Sequence, residues 1–539
     1  MKWFAFAGII PGLLWAQQAA PRLSVSGVVI SSTGGDPVRK ATVTLRAQDE
    51  GAISYEAESD GSGRFRMEDV APGTYSVLGE RQGFMMEADG ATGVPPPTLK
   101  VEAGQSVQDV KVKLIPLGVI SGRVLDEDGD PVRGAQVQAL SYSYMGGKRE
   151  LRPVDQVNAN DRGEFRLFGL HPGTFYLRAT GRNEGMRSMS FTTGAMVRST
   201  NRSSAFGGTY FPSVTDATHA TPIELAGGAQ LRGFDIRMRL EPRYSVRGKL
   251  PGPPRSEDGA GTPNYNLQLV PRAHPVMGGN YGYSFQMDNE NFEFTDVQPG
   301  SYLVVYTSLK REDGAKGMHA RQPVEVANSD VEGIVLTPAP GVDISGLVRV
   351  AGTPSRPLDK LSVNLQMESR AYFLPNAEVK PDGTFEITDL VPDIYEINLV
   401  GTHPGTYVKS IRLGDAEAPD LHIDLTKASG GPLTVVLATD VGEVEGSVKK
   451  ANGDAAARVR VTLIAGRLDL SRSGFTDDQG KFHLKNVAPG EYKAFAWEDV
   501  PVGAPEDPDF RKPYEKQSTA LKLDPNGHQT LELTTISLK

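Results

Sequence analysis

The sequence predicts an all-β fold, one strand-and-turn unit copied five times along a 539-residue chain. The first observation behind this is a register that keeps returning. Phe65, Phe165, Phe292, Phe385 and Phe482 each have an apolar residue five positions on (Val70, Leu170, Val297, Leu390, Val487) and a proline seven positions on (Pro72, Pro172, Pro299, Pro392, Pro489). An aromatic follows each proline by three: Tyr75, Phe175, Tyr302, Tyr395 and Tyr492. Self-similarity of this kind marks a repeat architecture and takes precedence over any single segment. The second observation is punctuation: 60 glycines and 38 prolines favour short strands joined by turns over helices. The third is length, which at about 100 to 150 residues per domain gives four or five domains.

Taken in order, Met1 to Ala16 (MKWFAFAGIIPGLLWA) sets Lys2 ahead of an apolar run too short to span a bilayer and ends on a small residue before Gln17. That is the pattern of a secretory signal peptide, so the chain is expected outside the cytoplasm, periplasmic or secreted, with no membrane span. Each unit then opens on an apolar-x-Gly strand. Val25-Ser26-Gly27, Ile120-Ser121-Gly122, Val246-Arg247-Gly248, Ile344-Ser345-Gly346 and Val444-Glu445-Gly446 each have an apolar residue two past the glycine, the period-two alternation of a half-buried strand. In the first two units Pro37-Val38 or Pro131-Val132 leads into a second strand, carried by Val43 and Leu45 or by Val137 and Ala139.

Asp60-Gly-Ser-Gly63 next supplies left-handed backbone for a hairpin turn, and Phe65 with Met67 forms the apolar face of a strand. Ala71-Pro-Gly-Thr74 turns the chain back into Tyr75 and Val77. The glycine after the proline is replaced by Asp393 in the fourth unit, and the glycine two before the phenylalanine by Glu290 in the third. A closing strand follows: Gly104 has Val107, Val110, Val112 and Leu114 at offsets 3, 6, 8 and 10, Gly228 heads the same four offsets, and Asn328 the first three. The resulting boundaries are 1–16 for the leader, then 22–116, 117–241 with an insertion at 181–208, 242–339, 340–440 and 441–539.

These signatures resemble the carboxypeptidase regulatory-like domain, a transthyretin-like or prealbumin-like module related to carbohydrate-binding folds. Ile120 to Leu125, Asp130 to Ala135, Asp161 to Phe165, Pro172 to Phe175, and Asp477 to Tyr492 carry the likeness best. The resemblance implies a Greek-key β-sandwich of about seven strands per unit. Glu290 and Asp393 depart from the family pattern, which implies altered turns there.

Function classes are then narrowed by chemistry. There are no cysteines, so neither a disulfide nor a thiol nucleophile is available. A net charge of −9 argues against a nucleic acid partner. None of the eight histidines is followed three residues on by glutamate, so the zinc-binding pattern of a carboxypeptidase is missing, and no P-loop or Gly-x-Ser-x-Gly occurs. No catalytic residue, cofactor or metal site is expected, and the acidic run Asp126 to Asp130 reads as a hairpin turn. Two binding surfaces are candidates. Tyr142 and Tyr144, two apart on the second strand of unit two, and Trp497, the one tryptophan outside the leader, form a possible glycan platform. The insertion carries Arg187, Arg198 and Arg202, a possible contact for an acidic partner. The expected role is a non-catalytic binding or scaffold protein of the cell envelope, with carbohydrate binding as the alternative.

Overall fold

The computed structural model describes residues 23–48, 53–86, 93–181, 204–251, 265–272, 284–288, 290–308, 316–352, 360–367, 376–426 and 431–538. The leader and Arg187, Arg198 and Arg202 lie outside the described residues. The described chain forms five β-sandwiches in tandem, grouped into two compact units: one built on the first sandwich, the other on sandwiches 2 to 5.

The first sandwich shows the plan. One sheet runs in the order Arg64–Val70, Leu23–Ser31, Val107–Pro116, Phe84–Met86, and the facing sheet in the order Tyr55–Glu58, Thr42–Ala47, Gly73–Glu80, Thr98–Val101. Val25, Val29, Val43, Leu45, Phe65, Met67, Tyr75, Val77 and Leu114 fill the space between them. The alternation seen in the sequence is thus the inward face of each strand, and burying a side chain of phenylalanine size contributes about 1.5–3 kcal/mol.

In every sandwich the opening strand lies between the strand of the repeated phenylalanine and the closing strand, which in the second sandwich is split into Gln230–Leu231 and Ile236–Arg237. It runs antiparallel to the strand that holds the repeated phenylalanine in the first, third, fourth and fifth. It runs parallel to the closing strand in all five. The opening glycine follows from this crowding. A Cβ at Gly27, Gly122, Gly248 or Gly446 would press into a backbone carbonyl of the closing strand, and at Gly346 into the ring of Phe385. Only a residue without a side chain admits the phenylalanine on one side and the third strand on the other.

Two left-handed residues set the registers. The position four past each phenylalanine is Asp69, Gly169, Asp296, Asp389 and Asn486, with φ between +57° and +76°. Glycine, asparagine and aspartate tolerate that conformation best, and the opening strand bulges opposite it. In the closing strand, Asp109, Gly233 and Gly333 are also left-handed, at φ +61°, +83° and +78°. The bulge at that point explains why the apolar offsets run 3 and 6, then 8 and 10: the phase slips by one residue between Val107 and Val110.

The repeated tyrosine closes its own turn. The hydroxyls of Tyr75, Tyr302, Tyr395 and Tyr492 donate to the carbonyls of Ala71, Gln298, Val391 and Ala488, four residues back, at 2.7–2.9 Å. At the preceding hairpin, Asp60 accepts from the backbone N–H of Ser62 and Arg64, at 2.8 and 2.9 Å. In the second sandwich Asn160, not Asp161, takes this role toward Arg162 and Glu164. Asp126 accepts from the N–H groups of Asp128 and Asp130, so its carboxylate closes the acidic turn.

The fifth sandwich departs in two ways. His528–Ser537 runs parallel to both Gly442–Lys449 and Gly490–Glu498, joining the two sheets. Between Gly490–Glu498 and Thr519–Leu523 the chain also makes three short helical segments, Ala504–Glu506, Pro508–Arg511 and Lys512–Gln517.

Candidate functional site

The strand Gln136–Met145 carries both candidate tyrosines. Val137 and Ala139 point inward, the pairing with Lys148–Asn158 slips between Ala139 and Leu140, and Tyr142 and Tyr144 end up half-buried. The ring of Tyr142 meets that of Tyr176 edge-on at 5.4 Å, and the Arg149 guanidinium lies 3.6 Å from its centroid. One face of Tyr142 is therefore occupied by a cation. Tyr144 meets Phe510 of the fifth sandwich edge-on at 5.7 Å, and burial raises its phenol above the ordinary range.

Trp497 is 1% exposed. Its ring stacks on Phe495 at 5.1 Å and meets Phe510 and Tyr514 at 5.7 and 5.4 Å, while its indole N–H donates to Thr462 at 2.9 Å. The reason lies in the helical segments, which cover the outer face of this sheet. The strands beneath them are accordingly apolar on both faces: Val461 and Leu463 point into the sandwich, Ile464 and Trp497 into the second cluster. Consecutive apolar residues at Phe495-Ala496-Trp497 were the available sequence signal for a covered outer face.

Polar chemistry concentrates where consecutive sandwiches of the second unit meet. Between the third and fourth, Arg321 donates to Asp393 at 2.6 Å, and Asp393 is 4% exposed. The same carboxylate accepts from the N–H of Ile394 at 2.8 Å. At this repeat position Gly173, Gly300 and Gly490 hold φ of +149° to +157°, whereas Gly73 and Asp393 do not have positive φ; the position therefore does not demand glycine in every sandwich, and at Asp393 the side chain takes part in the turn. Beside it, Lys316 pairs with Asp343 at 2.8 Å, and the buried His319 has a ring nitrogen 3.5 Å from Asp389. At 3.5 Å that approach to Asp389 is longer than an ordinary hydrogen bond. Burial pushes this imidazole below the ordinary histidine range, with the Asp389 carboxylate pulling partly back.

At the end of the fourth sandwich the Tyr407 hydroxyl donates to Asp440 at 2.9 Å within that sandwich, and its ring packs with Ala438 and, across the junction, with Ala488 of the fifth. Arg467 donates to the Val408 carbonyl and pairs with Asp469 at 2.7 Å. Burial, and then the neighbouring Asp440 carboxylate, push the Tyr407 phenol far up, so it stays a neutral donor. Among the described residues there is no group of three or more His, Asp or Glu placed to hold a metal ion. No helix among them is long and apolar enough to cross a membrane.

Comparison with known proteins matches residues 24–114 to the carboxypeptidase regulatory-like domain. Curated proteins give no match. Solved structures with similar folds include the Bacillus anthracis TIE protein, at 11% identity over 59% of this chain and 51% of that one, TM-score 0.17. They also include GBS52, the minor pilin of Streptococcus agalactiae, at 11% identity over 41% of this chain and 97% of that one, TM-score 0.20. BcpA, the major pilin subunit of Bacillus cereus, aligns at 11% identity over 96% of this chain and 99% of that one, TM-score 0.16. The chain spans about half the length of the first of these.

Proposed function

We propose, for a chain whose first sandwich is a carboxypeptidase regulatory-like domain and whose other four repeat its strand plan, a non-catalytic scaffold or binding role at the cell envelope, reached by export on the Met1–Ala16 leader. The observation that carries this reading is how the chemically able side chains are used. Arg321 and Asp393 pin one junction, Arg467 on the Val408 carbonyl and the Tyr407 ring on Ala488 pin the next, and Trp497 is packed beneath helical segments of its own domain. Residues spent in this way fix the spacing of successive modules, which suits a protein that positions several surfaces at once. Fold alone does not set function, so the reading rests on these junctions. Cell fractionation with N-terminal sequencing tests it: a periplasmic or secreted product beginning at Gln17 is expected, and a cytoplasmic chain with its leader intact overturns the reading.

Tyr142 supports a second reading, glycan binding, since it is the half-buried aromatic of the three that does not join the Trp497 cluster. A glycan array run with the parent and with Tyr142→Ala separates the two. A hit that the variant loses replaces the scaffold reading with carbohydrate recognition.

A further inference from the structure

Among the described residues, the second and fifth sandwiches each carry one element that stands out from the repeat. In the second it is the hairpin Gln136–Met145 and Lys148–Asn158, with strands of 10 and 11 residues; the matching pairs elsewhere are 6 and 4 residues in the first sandwich, 6 and 3 in the fourth, and 6 and 4 in the fifth. In the fifth it is the helical stretch from Gly503 to Gln517. These two departures from the repeat meet each other.

The contact is close at three places. Tyr144 sets its ring edge-on to Phe510. A Cβ at Gly503 would lie 2.5 Å from the Tyr144 carbonyl oxygen and 3.0 Å from its Cβ. A Cβ at Gly147, in the hairpin turn, would lie 2.6 Å from the Leu468 side chain and 3.0 Å from the Glu506 carbonyl oxygen. Both sides are held rigid. Gly146 and Gly147, at φ +55° and +70°, make the two-residue turn that matches strand twist. In the helical stretch Asp507 accepts from the N–H of Asp509 at 2.8 Å, and the buried Arg511 donates to the Pro505 carbonyl at 2.7 Å. Phe510 is also anchored from behind by Trp497 and Tyr514.

We infer that the surface formed by Gly503, Phe510 and Leu468 is a receptor for the Tyr144 hairpin of the same chain, and that the two form a clasp closing sandwiches 2 to 5 on themselves. The clasp is reversible, because it rests on one aromatic pair and a glycine fit and not on an extended interface. A contact that weak holds in cis, where tethering supplies an effective concentration in the millimolar range, and fails between separate chains at micromolar concentration. This inference concerns the conformation of the array and stands apart from where the protein resides.

The absence of native cysteine makes the test direct. Spin labels go on Lys148→Cys and Lys512→Cys, both exposed and next to the contact, in the full chain. Pulsed dipolar spectroscopy is expected to give one narrow distance that survives dilution with unlabelled protein. Tyr144→Phe keeps the ring and should retain that distance. Tyr144→Ala combined with Leu468→Asp should lower the closed-to-open ratio by about two- to twelvefold, the size of one such aromatic pair, and broaden the distribution toward longer distances. Circular dichroism checks that the sandwiches remain folded. A broad distribution in the parent, a narrow distance that dilution abolishes, or one that the double variant leaves unchanged overturns the clasp.

Discussion

Replacing Gly446 by alanine in the fifth sandwich tests why the opening strand of every unit carries a glycine. The new Cβ would sit inside contact distance of the Leu531 carbonyl oxygen, 2.9 Å from that carbonyl carbon and 2.9 Å from the Phe482 ring. Two of these neighbours are backbone of the parallel closing strand, so a side-chain rotation cannot make room. The strands must part by about an ångström or the buried phenylalanine must leave its well, and overpacking of this kind costs about 1–3 kcal/mol, toward the upper end where backbone is involved. With a urea slope of about 1.5 kcal/mol per molar, a loss of about 3 kcal/mol lowers the midpoint by about 2 M. Trp497 reports this locally once Trp3 and Trp15 are changed to phenylalanine, because it is then the single tryptophan and lies in the same sandwich. Gly466→Ala is the control: a Cβ there meets nothing within 4 Å, and its midpoint should stay within about 0.5 M of the parent. Equal midpoints for the two variants would refute the account of close strand approach.

Other consequences follow from the same contacts. Tyr492→Phe leaves the buried Ala488 carbonyl without its 2.7 Å donor and should cost about 1–2 kcal/mol in the same titration. Arg321→Ala removes the cation paired with the buried Asp393 carboxylate, which keeps its bond from the Ile394 N–H; discounted for the partial exposure of the arginine, a loss of about 2 kcal/mol at the junction is expected, visible as faster proteolysis between the third and fourth sandwiches. His319 gives a pH dependence. Its folded pKa lies below the unfolded value near 6.5, so the unfolded chain binds the extra proton and stability falls as pH drops from about 6.5 toward the folded value. The slope is bounded by about 1.4 kcal/mol per pH unit, and His319→Gln should flatten it, with Asp389, Lys316 and Asp343 as the neighbouring charges. Gly169→Ala places a side chain at φ +76° and should cost about 1 kcal/mol by thermal melting, whereas Asp296→Gly at the same repeat position should cost less.

The fold was legible because its determinants are local. Phenylalanine, proline and tyrosine at fixed spacing report an inward face, a turn and a turn-closing hydroxyl, each satisfied within about ten residues. The closing-strand offsets were legible as a pattern but not as a cause, since the slip at Asp109 shows only in φ. The junctions were not legible. Arg321 and Asp393 are 72 residues apart, and nothing along the chain says which of many arginines reaches a given aspartate. Asp393 did announce itself by standing where glycine was expected, and its side chain takes part in the turn. Trp497 was a platform candidate only as the one tryptophan outside the leader, and the helical stretch that covers it carries no motif of its own. The ring of Tyr144 meets Phe510, in a module more than 300 residues further on, a contact that no local spacing announces.

The parallel pairing of first and last strands has a mechanical meaning. In each sandwich the chain enters at one end of this pair and leaves at the other. Tension applied through the linkers therefore slides the two strands along each other and loads their hydrogen bonds together, where an antiparallel terminal pair would peel open one bond at a time. A module loaded in this way should resist shear and yield as a whole, not strand by strand.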